Sequence, residues 1–142
     1  MKDMNYYDTF ITVSPDSPVE AGLKPPERKG ALTKAGIEYE LVANHPYGYT
    51  QEELLYQVHV RHKGISEEEL EAKGTQLWDE FYQKPQACMR ASALPKKYGW
   101  GIHFNSEGYM ALVAADSPEY ERFKSGDDGK LKVLAGMRSS RK

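Results

Sequence analysis

Cysteine is almost absent. Cys88 is the only one in 142 residues, which excludes an internal disulfide framework and any zinc site built from four cysteines. Long hydrophobic runs are missing as well: the apolar stretch Ala111–Ala115 falls far short of the roughly 20 residues a membrane-spanning helix needs. No hydrophobic segment follows Met1-Lys2-Asp3-Met4-Asn5, so no signal peptide is expected. A Walker loop, a dinucleotide fingerprint and a Gly-x-Ser-x-Gly elbow are all lacking, which leaves the common phosphate-transfer and hydrolase classes without support. There is no internal repeat and no low-complexity segment. What remains is polar yet aromatic, with 39% hydrophobic residues, 10 Tyr, 4 Phe and 2 Trp, too aromatic for a disordered chain. The length suits one domain, residues 1–142, able to bury roughly two thirds of its unfolded surface. Composition points to a soluble, cytoplasmic protein.

Neither sign of charge dominates, with 19 Lys and Arg against 21 Asp and Glu. The two halves differ, however. Residues 1–85 carry nine basic and fifteen acidic groups, whereas residues 86–142 carry ten and six. That basic half either faces an anionic partner or balances two acidic helices in the first half. The excess is far below a nucleic-acid-binding profile, so no nucleic acid and no membrane is expected as partner.

Tyr6–Val13 reads as a strand, stopped by Ser14-Pro15. Prolines 15, 18, 25 and 26 make residues 15–30 an irregular connection. Thr33–Asn44 alternates like a strand and also fits helical spacing; Thr33 as N-cap and Pro46 beyond the end favour a short helix. Thr50-Gln51-Glu52-Glu53 and Ser66-Glu67-Glu68-Glu69 have the capping-box pattern, predicting helices to about His62 and Gln83. Gln86–Ala93 alternates, with Ala87, Met89, Ala91 and Ala93 on one side and Cys88, Arg90 and Ser92 on the other, which predicts a strand. Tyr98–Phe104 and Tyr109–Ala115 predict a hairpin across Asn105–Gly108, with Phe104 opposite Tyr109. Ser117-Pro118 opens a short helix, and Lys130–Ala135 forms a last strand. The fold class is α+β, a single domain with helices in the N-terminal half packed on a mostly antiparallel sheet supplied mainly by the C-terminal half.

Several stretches together resemble a known family. They are Tyr7-x-Thr9-Phe10-Ile11, Pro46-Tyr47 followed by Thr50, Cys88-x-Arg90-Ala91-Ser92-x-Leu94, Lys97-Tyr98-Gly99-Trp100-Gly101-Ile102-His103 and Met137-Arg138-Ser139-Ser140-Arg141. The chain resembles a family of small bacterial proteins defined only as a domain of unknown function. The resemblance implies one compact domain and carries no activity, cofactor or catalytic residue.

The candidate site follows from the expected sheet. With Gln86–Ala93 beside the hairpin, Cys88, Arg90 and Ser92 meet His103 next to Gly99 and Gly101, with Lys97 just beyond. Arginine offers a planar fork for a carboxylate or phosphate, and histidine exchanges a proton near neutral pH. Two glycines on one strand face mean that something approaches the backbone closely: a ligand, a helix or a large side chain. The expected ligand is therefore a small anion. The alternative pairs Arg90 with a carboxylate and fills the glycine gap with protein. A lone cysteine beside Ala87 and Met89 reads as a packing residue, since nucleophilic chemistry needs a depressed pKa and a positioned base. Tyr6, Tyr7, Tyr47 and Tyr49 either line a pocket or rim the core. His59 and His62 have a spacing that two metal ligands use, but no third ligand has diagnostic spacing; no metal and no cofactor is expected. A second function class is an interaction module without chemistry, binding a protein or a nucleic acid through the basic C-terminal half around Lys130, Lys132, Arg138 and Arg141.

Overall fold

A computed structural model describes residues 5–27, 30, 32–127 and 129–137. Each of the first three helices begins at a side chain that satisfies one of its free amides. In α1 (Lys34–Asn44) the Thr33 hydroxyl accepts from Gly36 N at 3.1 Å, which resolves the ambiguous stretch as helix. Thr50 and Glu53 close a reciprocal capping box on α2 (Gln51–Lys63), which ends at Gly64 in the left-handed conformation. Ser66 Oγ accepts from Glu69 N at the start of α3 (Glu67–Gln83), a helix kinked at Lys73. None of α3 is fully buried; Trp78 and Phe81 pack edge-on against Tyr56 of α2.

Four strands form one sheet: β1 (Thr9–Thr12), β2 (Trp100–Phe104), β3 (Met110–Ala114) and β4 (Lys132–Ala135), in the order β3-β2-β1-β4. β2 runs antiparallel to both β1 and β3, while β4 lies parallel to β1. The result is a single-domain α+β fold with a mixed sheet. Three helices follow β1 in the N-terminal half, and two short ones, α4 (Ala93–Lys97) and α5 (Pro118–Lys124), come just before β2 and β4. Among the described residues, no helix is long and apolar enough to cross a membrane. Residues 15–27 stay irregular and close one end of the sheet: Leu23 N donates to Tyr98 O, and Trp100 Nε1 donates to Leu23 O, both at 2.8 Å.

Two expectations need correction. The strand predicted over Gln86–Ala93 is a 3-10 turn, Met89–Ala91, followed by α4. Ser92 caps α4, its Oγ accepting from Leu94 N at 3.1 Å, and Pro95 sits in the first turn, where a missing amide costs nothing. The turn is pinned by buried Gln51, whose Oε1 accepts from Met89 N at 2.8 Å. The hairpin register is also shifted by one: Phe104 pairs with Met110 and Trp100 with Ala114. Asn105 Oδ1 accepts from both Glu107 N and Tyr109 N, and Gly108 takes φ +89°, so the loop absorbs Tyr109 as an extra residue. Every β3 side chain therefore changes face.

One face of the sheet buries Ile11, Ile102, Phe104 and Met110 against α1, α2 and Met89. The other buries Phe10 and Val113 against Tyr120 and Phe123 of α5. Strand alternation places Gly101 and His103 on that second face, with Val113 and Ala111 as their β3 neighbours.

Candidate functional site

The residues expected to converge do not. Met89 belongs to the α1–α2 core, so Cys88, Arg90 and Ser92 lie on that side of the sheet, whereas His103 projects to the α5 side. Arg90 is held by backbone rather than by a carboxylate. Its Nε donates to Ala135 O, and its own carbonyl accepts from Met137 N, both at 2.8 Å, stitching the 3-10 turn to the end of β4. Beside it, burial pushes the Tyr6 hydroxyl up to about 12, a hydrogen bond with Cys88 adds to the shift, and Arg90 opposes it. Ser92 Oγ donates to Glu38 Oε1 at 2.7 Å. Lys97 is exposed at the end of α4. The glycines make room for protein. A Cβ on Gly99, which has φ +75°, would stand 2.1 Å from Ala21 O, and one on Gly101 would stand 2.5 Å from Phe10 Cζ. Of the basic surface read from the sequence, Lys130 and Lys132 are exposed; Arg138 and Arg141 lie outside the described residues.

His103 nevertheless stands at a centre of its own. Its Nδ1 is 2.7 Å from Tyr47 Oη, and its ring stacks on Phe123 with centroids 4.3 Å apart and planes at 5°. The Arg122 guanidinium lies 4.7 Å from the centre of the Phe123 ring, and Arg122 Nε is 3.6 Å from Asp127 Oδ1. Burial lowers the pKa of His103; Asp127 and Asp8 oppose the shift, and Arg122 reinforces it. Burial raises that of Tyr47, with Arg122 opposing. The neutral imidazole and protonated phenol that follow suit a bond from Tyr47 Oη–H to Nδ1, leaving the ring hydrogen on Nε2.

Backbone strain gathers here. Among the described residues, the non-glycine positions with positive φ are Asp8 (46°), Tyr47 (58°) and Asp127 (48°). They come from three separate loops, and each bears on His103, by a hydrogen bond from Tyr47 and by charge from the two aspartates. Aspartate tolerates this region, but for tyrosine it costs about 1–2 kcal/mol. Tyr47 occupies the third position of a turn closed by Gly48 N donating to His45 O at 2.9 Å, where glycine is the usual residue. Its side chain remains 40% exposed, so burial does not account for the conformation. Strain of this kind concentrates where a side chain must be aimed. Between β3 and α5 lies a cleft of about 380 Å³, to which Tyr47, Ser117, Glu119 and Arg122 contribute polar groups. Among the described residues, no set of three or more His, Cys, Asp or Glu side chains is placed to hold a metal ion.

The depressed pKa of His103 sets a pH dependence. The folded imidazole binds its proton more weakly than an unfolded one of pKa 6.5. Its contribution to stability is full above that value and is lost as pH falls through the window beneath it. His59, lowered by burial and neighbouring lysines, acts in the same direction. Urea midpoints measured from about pH 7.5 to 5.5 should fall less steeply in His103→Gln than in the wild type, the difference isolating His103. Equal slopes would mean that its environment is not desolvated.

Of this centre, sequence reasoning found His103 and placed Tyr47 among candidate pocket tyrosines. It missed Asp8, Arg122 and Asp127, for which the only local signal was the Asp127-Asp128-Gly129 turn.

Fold and site together define a small α+β domain whose four-stranded mixed sheet carries a helical layer on one face and a strained histidine–tyrosine centre on the other. The chain belongs to the Family of unknown function (DUF6157), whose model matches residues 1–142. No curated protein and no solved structure matches it.

Proposed function

We propose that the protein binds a small anion-bearing molecule in the cleft between β3 and α5, with Arg122 taking the anion and the Tyr47–His103 pair as its polar neighbour. This keeps the arginine–histidine chemistry expected from the sequence but replaces Arg90 with Arg122. The observation that carries it is a left-handed Tyr47, bonded to the His103 imidazole, in the wall of a cleft that Arg122 also lines. A reducing cytoplasm suits a chain with a single free cysteine, and the cytoplasm is where we place it.

The test is a metabolite thermal-shift screen, followed by titration of each hit against variants. Arg122→Gln should weaken binding by about one to two powers of ten, the value of a charge-assisted hydrogen bond of roughly 1.5–3 kcal/mol. His103→Gln should weaken it by a smaller factor. Arg90→Ala should leave the affinity unchanged while lowering stability, because it unties β4 from the 3-10 turn. Affinity lost in Arg90→Ala and kept in Arg122→Gln would move the ligand to the opposite face and sink the proposal.

A further inference from the structure

On the α1–α2 side of the sheet, away from His103, a second cleft of about 340 Å³ opens between α1, α2, the end of α3 and the 88–92 segment. Its walls are of two kinds. Leu55, Val58 and Phe81 supply apolar surface, and Lys34 and Lys84 enter from exposed positions on the rim. Both lysines share this lining with His59, whose ring lies 4.6 Å from that of Phe81. The one carboxylate in the lining, Glu38, is engaged by the Ser92 hydroxyl at 2.7 Å. Burial disfavours the charged forms of Glu38 and His59, while the Ser92 hydroxyl and Lys34 favour the Glu38 carboxylate; the exposed charge at the rim is that of the two lysines. An apolar wall with a positive rim suits a ligand with an apolar body and one anionic end.

We propose that this cleft binds an apolar carboxylic acid, its carboxylate held between Lys34 and Lys84 and its body against Leu55, Val58 and Phe81. A purely ionic ligand would leave that apolar wall wet, and a neutral one would make no use of the two rim lysines. The site is on the opposite side of the sheet from the His103 centre, so the two proposals stand or fall separately.

Hexanoate, acetate and hexan-1-ol serve as probes, followed by the methyl resonances of Leu55 and Val58 in the full chain. Hexanoate should produce saturable shifts there, with acetate and hexanol at least about tenfold weaker, since each lacks half of the recognition. Lys34→Gln and Lys84→Gln should each weaken hexanoate by about fivefold, as expected for partly exposed ion pairs. The Lys34→Arg/Lys84→Arg double variant should retain binding. Hexanol binding as tightly as hexanoate would overturn the proposal. So would unchanged affinity in the Lys34→Gln/Lys84→Gln double variant, or shifts confined to the vicinity of His103, or no saturable shift at Leu55 and Val58.

Discussion

Gly99→Ala should cost about 2–5 kcal/mol of stability, the sum of a left-handed backbone penalty and a close contact that cannot relax locally. At φ +75° the new methyl would meet Ala21 O, a backbone atom, at 2.1 Å. Relief would require the 15–27 connection to lift away, and with it the bonds from Leu23 N to Tyr98 O and from Trp100 Nε1 to Leu23 O. The loss is a large fraction of what a domain of this size has to spare. Urea denaturation measures it directly, and a midpoint equal to that of the wild type would show that the connection does not pack there.

Phe10→Ala should be similarly severe, about 3–5 kcal/mol for a fully buried ring. Phe10 fills the gap over Gly101 and contacts the rings of Tyr120 and Phe123 at centroid distances of 5.4 and 5.5 Å. Because Phe123 is the surface on which His103 stacks, the damage should extend to the site. In the folded fraction the histidine should titrate closer to its ordinary value, as water reaches the ring. Phe10→Leu, which retains most of the volume, should cost far less and leave the titration depressed. A His103 NMR titration identical in Phe10→Ala and the wild type would show that the α5 layer does not depend on this ring.

These two residues also mark the limit of what the sequence discloses. Helix starts were legible because capping is local: Thr33, Thr50 and Ser66 satisfy amides three residues away, whatever the rest of the chain does. The alternation of Ala87, Met89 and Ala91 was not decisive, because one buried Met89 in a tight turn produces the same small-and-apolar pattern as a strand. The start of α4 was written in Ser92, a capping residue read instead as a strand residue. The β3 register escaped because a glycine with positive φ in the loop adds a residue without altering composition. His103 was visible as chemistry, but its partners arrive from residues 8, 47, 122 and 127, brought together by strand order and by loops whose handedness no propensity predicts. Nothing in a tyrosine at position 47 announces a left-handed backbone.

The parallel pairing of β1 with β4 has a consequence for how the protein is made. β1 is synthesised before the other three strands, yet its two neighbours are β2 and β4, and residues 9–12 pair with residues 132–135. The capped helices α1 and α2 can form early from local signals. β1 must wait, with one side open until nearly all the described chain has been synthesised. Contacts so distant in sequence are slow to form, and an unpaired strand is a template for the wrong neighbour. The nascent chain is therefore most exposed to misassembly in the interval when the hairpin has docked on β1 and β4 has not.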